Sequence, residues 1–139
     1  MEKNNILNLM VDQHALLEAL FFVFKDDKTE NSLNEFSWEL RKHFFVEEEV
    51  IFNFLAWNDS SISDVIKQLK EEHIEMLNLV AKMKENLAIA EKQTENFYNI
   101  LKGHREMEEK ELYPVLDTRL TDGQKEQIVD RINQVLIKK

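Results

Sequence analysis

Apolar residues recur three or four positions apart along nearly the whole chain, which is the spacing of one buried helix face. Polar runs at 26–31 and 57–61 separate the first three apolar segments, and a weaker break near 90–94 precedes the fourth. The first segment covers about 6–24. This pattern predicts four long helices joined by short turns, so that neighbouring helices run antiparallel.

Short motifs predict where individual helices begin and end. Ser32 with Glu35 three residues on is a capping box, and we expect it to open the second helix. Thr121 with Gln124 is another capping box, which predicts a short additional helix near the C-terminus. Pro114 is expected to kink or end the fourth helix, because proline has no backbone N–H to donate.

The predicted fold is all-α: an up-down-up-down four-helix bundle with a short C-terminal fifth helix. We expect one domain over 1–139, with the bundle at about 6–118 and the last helix at about 122–137. Two glycines and one proline are far too few for a turn-rich β fold. They also exclude the Gly-rich loops that cradle phosphates.

The absence of cysteine and the acidic charge narrow the possible functions. Without cysteine the chain has no disulfide, thiolate metal site or cysteine nucleophile, and we expect a cytoplasmic protein. A net charge of −9 disfavours nucleic acid and anionic membrane surfaces as partners. The longest mostly apolar stretch, 15–24, is expected to be too short to span a membrane. The sequence identifies no protein partner and no hydrolytic constellation.

An internal repeat divides the chain into two halves. Residues 43–55 align with 104–116, so that His, Glu, Glu, an aliphatic residue, an aromatic residue and Leu fall in the same columns. His14 precedes the first copy by 29 residues, and His73 precedes the second by 31. The pattern therefore predicts two similar helical hairpins, each with one His on its first helix and His-x-x-x-Glu on its second.

All four histidines are expected to face the core at one level of the bundle. Each interrupts an apolar stripe, and the two histidines of each antiparallel pair lie about equally far from the turn between them. A single buried histidine is ordinarily a hydrogen-bonded core residue. Four at one level, on four helices, favour a metal site instead; they are His14, His43, His73 and His104.

Two carboxylates are expected to join this layer. Glu47 and Glu108 each follow a histidine by one helical turn and so lie on the same face. Buried carboxylates need a compensating charge, which a pair of metal ions would supply, and a carboxylate between two ions can bridge them. Oxygen and nitrogen donors suit iron or manganese, with zinc as a competitor. The neighbouring acidic residues are expected to be solvated: Glu48, Glu49, Glu109 and Glu111.

These residues resemble a known family, the hemerythrin-like or HHE cation-binding domain, over about 6–118. The resemblance rests on His14, His43-x-x-x-Glu47, Glu-Glu-His73 and His104-x-x-x-Glu108-Glu109. It implies a four-helix bundle that holds two iron ions in a non-haem diiron centre. His14 and His43 would then serve one iron, His73 and His104 the other, and Glu47 and Glu108 would bridge the two.

The sequence departs from the oxygen-carrying hemerythrins at two positions. Leu77 stands where those proteins have a fifth histidine, and Glu108 follows its histidine by four positions where they have an Asp spaced by five. Glu109 occupies the five-spaced position, and Glu18 is a further possible donor or outer residue beside His14. Both departures are shared by hemerythrin-like domains of iron-sensing and iron–sulfur repair proteins.

The expected function is binding, sensing or scavenging of O2, NO or peroxide at open iron positions. Scavenging would make the protein an enzyme, and the sequence does not decide this. Two alternatives stay open: iron delivery or storage, including repair of damaged iron centres, and a metal-free helical interaction module.

Overall fold

The computed structural model describes residues 6–52, 60–87 and 90–137. These residues form six α-helices: α1 Ile6–Asp27, α2 Glu30–Phe45, α3 Ser60–Glu85, α4 Ala90–Met107, α5 Tyr113–Arg119 and α6 Asp122–Ile137. Two π-helical segments continue α2 and α4, namely π1 Val46–Ile51 and π2 Glu108–Leu112. The predicted break at 57–61 begins outside the described residues, which resume at Ser60 within α3.

The four long helices pack as a closed bundle. Each helix contacts the next along the chain, and α1 contacts α4, so the four surround one core. Helix α6 lies against π1 and α2 at one end of the bundle. The all-α bundle with an additional C-terminal helix is therefore confirmed.

The turn between α1 and α2 begins the second helix earlier than the sequence suggests. Thr29 is the N-cap residue, and its hydroxyl oxygen accepts a hydrogen bond from the backbone N–H of Ser32 at 3.1 Å. Lys28 closes the turn with a φ of 54°, in the left-handed region. The predicted Ser32–Glu35 capping box is wrong, because Thr29 already satisfies the free N–H at this end.

Of the other predicted helix boundaries, one agrees with the structure and two do not. The Thr121–Gln124 capping box is confirmed: each residue's backbone N–H donates to the other's side chain, at 3.0 and 3.1 Å. The break expected near 90–94 is wrong, since α4 begins at Ala90. Pro114 does not end the helical path, because π2 runs directly into α5 and Pro114 lies in the first turn of α5. The alternative, a kink at Pro114, stays a prediction.

The core consists of two apolar clusters on either side of a polar layer. The first contains Met10, Val46, Leu69 and Leu112, together with residues of α5 and α6. The second contains Leu17, Phe36, Phe44, Met76 and Leu101, among others. On α1, α3 and α4 the change from one cluster to the other falls at a histidine, so the layer between the clusters is the place where the four imidazoles meet.

Helix α1 carries exposed apolar residues on its outer face. Its buried residues include Met10, His14 and Phe21, whereas Leu16 and Val23 are exposed apolar residues. By length and composition α1 is the one helix, among the described residues, that could cross a membrane. The 15–24 stretch, expected to be too short to span a membrane, thus belongs to a helix that is long enough to do so, although a core helix can have the same length and composition. The expected absence of a membrane partner stays a prediction.

Candidate metal centre

The structure brings all six predicted donor residues together in the interior. The four imidazoles are at most 4 % exposed, and both carboxylates are fully buried. They form two groups whose ligand atoms lie within 4.8 Å of one another. One group is His14, His43, Glu47 and Glu108; the other is Glu47, His73, His104 and Glu108. Glu47 and Glu108 belong to both groups.

Each shared carboxylate turns one oxygen toward each histidine pair. Glu47 Oε1 lies 2.9 Å from His73 Nε2, while its Oε2 lies 3.3 Å from His43 Nε2. Glu108 reverses this order, with Oε1 at 3.0 Å from His14 Nε2 and Oε2 at 3.1 Å from His104 Nε2. Two carboxylates placed in this way lie between two imidazole pairs, and each can bridge two cations.

The π-helical segments place these carboxylates. The N–H of Phe52 donates to the carbonyl of Glu47, and the N–H of Tyr113 donates to the carbonyl of Glu108. Both hydrogen bonds span five residues instead of the four of an α-helix, so in each copy of the repeat the helical turn that starts at the glutamate holds one extra residue. Single π turns of this kind are frequent at functional sites.

The first histidine of each hairpin is held by the other hairpin. His14 Nδ1 donates to Glu109 Oε2 at 2.7 Å, and His73 Nδ1 donates to Glu48 Oε2 at 2.6 Å. An Nδ1–H bonded to a carboxylate leaves the Nε2 lone pair for a metal and fixes the ring orientation. Each hairpin thus holds a histidine of the other hairpin by a hydrogen bond.

The second histidines differ from each other. His104 Nδ1 donates to Glu72 Oε1 at 2.7 Å. His43 has no hydrogen-bond partner on either ring nitrogen among the described residues, although Glu47 lies within ion-pair distance. The imidazole rings remain paired in space, with centroids 4.9 Å apart for His14 and His43 and 4.8 Å apart for His73 and His104.

Aromatic side chains complete the inner wall. Tyr113 is fully buried, and its hydroxyl donates a short hydrogen bond to Glu47 Oε2. The aligned residue of the first copy is Phe52, which stacks near His73 without a hydrogen bond to offer. Phe44 stacks directly on His73, with ring centroids 3.8 Å apart. The aromatic wall is therefore polar beside one histidine pair and apolar beside the other.

Burial and mutual attraction shift the ionisation of this cluster. Burial disfavours the charged form of His104 and of His14, but the nearby Glu108 carboxylate outweighs it and raises the pKa of both imidazoles. Burial also opposes ionisation of Glu47, yet His43 and the other partners hold its pKa well below the usual value. Burial, with Glu108 and Glu47 nearby, raises the pKa of Tyr113 well above 10.0. The cluster is therefore charged at its centre.

The donor set fits a pair of cations. Two ionised carboxylates in an apolar interior cost several kcal/mol each unless they are compensated, by order of magnitude. Both nitrogens of His43 and Glu108 Oε2 lack hydrogen-bond partners among the described residues, although they are buried. Buried polar atoms normally have partners, so a cation would satisfy His43 Nε2 and Glu108 Oε2, which lie beside the other donors.

Several residues of the site differ from expectation. Glu48 and Glu109 were expected to be solvated, which is wrong, because their carboxylates bind imidazole N–H groups while the rest of each side chain stays partly exposed. Glu49 and Glu111 are exposed, as expected. Glu18 pairs with Arg105.

Two further residues of the site were given no role from the sequence, although Glu72 belongs to the quoted pattern Glu-Glu-His73. Glu72 is the residue directly before His73, and Tyr113 follows Glu108 by five positions. The repeat alignment did place Tyr113 opposite Phe52, which was the one available signal, but an aromatic residue in an apolar stripe indicates only core packing.

A layer of four imidazoles with two shared carboxylates, inside a four-helix bundle, defines a helical cation-binding domain. The family model described as the Hemerythrin HHE cation binding domain matches residues 5–116, and the chain belongs to that family. The resemblance expected over about 6–118 is thereby confirmed. No curated protein and no solved structure matches the chain.

Proposed function

We propose that this chain is a non-haem diiron protein that binds or senses O2, NO or peroxide. The observation that carries the proposal is that Glu47 and Glu108 each present one oxygen to either histidine pair. A single cation would need only one of the two groups of donors. Two groups that share both carboxylates favour a dinuclear centre.

The choice of iron rests on the chemistry of the donors. Each group offers two imidazole nitrogens and two shared carboxylates, with no thiolate. Such mixed nitrogen and oxygen sites suit iron or manganese, and zinc competes for them. Iron ions bound there would supply open coordination positions for a diatomic ligand or peroxide, together with electrons for its reduction.

The chain's own residues would hold and shield such a centre. The Nδ1–H bonds to Glu48, Glu72 and Glu109 fix three of the four rings. The two apolar clusters cover the layer from both sides and keep water from its ends. Tyr113 keeps its proton at Glu47 Oε2, since burial and the two carboxylates oppose its ionisation.

Leu77 supports a centre with room for an exogenous ligand. It lies one helical turn after His73 on α3 and is packed against the second apolar cluster. A leucine at this position provides no donor atom, so an adjacent cation would be held only by the shared carboxylates and two imidazoles. This favours ligand exchange and oxidation over reversible oxygen carriage.

Iron delivery is the second candidate, and one observation favours it. The carboxylates that hold the imidazoles reach the surface: Glu48 is 40 % exposed, Glu109 27 % and Glu72 22 %. Partly exposed carboxylates beside a buried centre offer a polar route along which a cation can enter or leave. A metal-free interaction module is disfavoured, because it would leave both ring nitrogens of His43 and Glu108 Oε2 buried without hydrogen-bond partners among the described residues.

Metal analysis of the full chain tests the proposal. Metal-free protein is loaded with Fe²⁺ without oxygen, desalted and analysed for iron, and two ions per chain are expected. Air exposure should then produce the visible absorption of a coupled ferric pair, which azide perturbs. Glu108→Gln should lower the iron content, while Glu111→Gln, at an exposed position of the same π segment, should not.

Different outcomes separate the candidates. One ion per chain would reject the dinuclear centre. Two ions that pass within minutes to a chelator, before and after air exposure, would favour delivery. Failure to bind iron, manganese or zinc would support the metal-free interaction module instead.

A further inference from the structure

The two histidine pairs differ in the carboxylates that surround them. In the His73–His104 pair both Nδ1 atoms donate to carboxylates, at 2.6 Å to Glu48 and 2.7 Å to Glu72. In the His14–His43 pair only His14 has such a partner, Glu109. His43 Nδ1 has none among the described residues.

The internal repeat shows where this difference is encoded. Glu72 stands directly before His73, and the residue directly before His14 is Gln13. Other residues around the centre are matched, with Glu48 opposite Glu109 and His43 opposite His104. A neutral amide therefore stands in the first half where the second half has a carboxylate.

A second difference favours the same pair. Glu47 Oε2, which faces His43, also accepts the hydrogen bond of Tyr113. Glu108 Oε2, which faces His104, has no hydrogen-bond partner among the described residues. A carboxylate oxygen that already accepts a hydrogen bond is a weaker donor to a cation, so the first pair is poorer in this respect as well.

Outer carboxylates have a known effect on metal affinity. An imidazole whose Nδ1–H is bonded to a carboxylate is a more basic ligand, and its ring is held in place. Loss of such a partner typically lowers metal affinity about 10–100-fold. Neither the outer carboxylates nor the Tyr113 hydrogen bond changes which atoms can bind a cation. Both would change the affinity of each position for its ion.

We propose that the two cation positions are unequal, and that the His73–His104 position fills first and holds its ion more tightly. The His14–His43 position is then the exchangeable one. Glu72 and Gln13 are the positioning residues that set this order. The inference rests on the proposed dinuclear site and adds the order in which its two positions bind and release their ions.

A titration of the full-length, metal-free protein with Zn²⁺ tests the order without redox chemistry. Calorimetry or chelator competition should resolve two steps that differ at least about tenfold in affinity. NMR of the histidine rings during the first equivalent should show His73 and His104 shifting ahead of His14 and His43.

Exchange of the two outer residues supplies the sharper test. Glu72→Gln should weaken the first step about 10–100-fold, and Gln13→Glu should strengthen the second. The double variant, which swaps the two side chains, should reverse the order in which the rings shift. Glu71→Gln, an exposed neighbour on α3, is the matched control and should leave both steps unchanged.

The outcomes distinguish this inference from the proposed function. Two ions that bind wild type with equal affinity would overturn the inequality. An order unchanged in the double variant would overturn the role of Glu72 and Gln13 in setting it. Either result leaves the dinuclear site intact. Binding of one ion or none by the wild type and all variants would reject the dinuclear site itself. Far-UV circular dichroism of the metal-free variants establishes that each is folded.

Discussion

Tyr113 and Glu47 join the two halves of the molecule through one buried hydrogen bond. The phenol lies at the start of α5, and the carboxylate lies in π1. Both side chains are fully buried, so no water can replace the donor if it is removed. The bond thus ties the end of the second hairpin to the centre of the first.

Tyr113→Phe is expected to destabilise the metal-free protein. A buried carboxylate that loses a donor costs about 1.5–3 kcal/mol. Urea unfolding of the metal-free wild type and variant measures the difference. Tyr98→Phe is the control, since Tyr98 packs by its ring against Phe21 and Phe22, and it should lose much less. Equal stability of the Tyr113 variant and wild type would show that the hydrogen bond contributes nothing.

The metal-free protein should be most stable at mildly acidic pH. The raised pKa values of His14 and His104 contribute stability below their usual 6.5, and this is lost as pH rises through the higher folded values. The lowered pKa of Glu47 contributes stability above its usual 4.5, and this is lost as pH falls. The unfolding free energy of the metal-free protein should therefore be highest between the usual Glu and His pKa values, 4.5 and 6.5.

Above that pH range, bound metal should make the protein more stable as pH rises, whereas the metal-free protein becomes less stable. Imidazole must be neutral to coordinate, so protons compete with the metal and acid removes it. The gap in melting temperature between loaded and metal-free protein should widen from about pH 6 to pH 8. A metal-free protein that gains stability over this range, or a gap that narrows, would contradict the assigned charge state of the imidazoles.

Asp117 is expected to stabilise the N-terminal end of α1. Its two carboxylate oxygens accept the backbone N–H groups of Ile6 and Leu7, at 2.9 and 3.0 Å. Loss of a capping side chain costs about 0.5–2 kcal/mol. Asp117→Ala should lower the unfolding free energy by that amount, whereas Asp122→Ala, at an exposed carboxylate, should change it much less. Thermal or urea unfolding of both variants measures the effect.

Leu77→His should change ligand handling at the centre. The new imidazole lies on the face of α3 that carries His73, one turn on, and can add a donor where leucine offers none. Oxidation of the ferrous protein in air should slow, and azide should perturb its spectrum less. Leu79→His places a histidine on the same helix, away from that face, and serves as the control. Repeated reversible oxygen binding by the wild type, without oxidation, would contradict the reading of Leu77.

The histidine layer could be predicted because it depends on regular geometry. In an α-helix each residue adds about 100° around the axis, so His14 shares a face with Met10 and Leu17. Antiparallel hairpins then bring residues equally distant from a turn to the same height. Both rules act along the sequence, and the structure follows them in all four long helices.

The outer partners could not be predicted because they depend on departures from that geometry. In a regular α-helix Glu48 lies about 100° away from Glu47, toward solvent. The wide turn of π1 lets both carboxylates reach His73 instead. The role of Glu72 was missed for another reason, since its partner His104 is brought close only when α3 and α4 pack together.

The sharing of Glu47 and Glu108 by both groups has a consequence for biosynthesis. The ribosome completes the first hairpin before the second, and that hairpin contains three of the four donors in its own group. Neither group is complete until Glu108 has been made and its helix has docked. A complete group of donors therefore forms only after Glu108 has docked, and a truncated or cleaved product that lacks the second hairpin contains no complete site. Occupancy of the centre would report that the two hairpins have been made and have packed together.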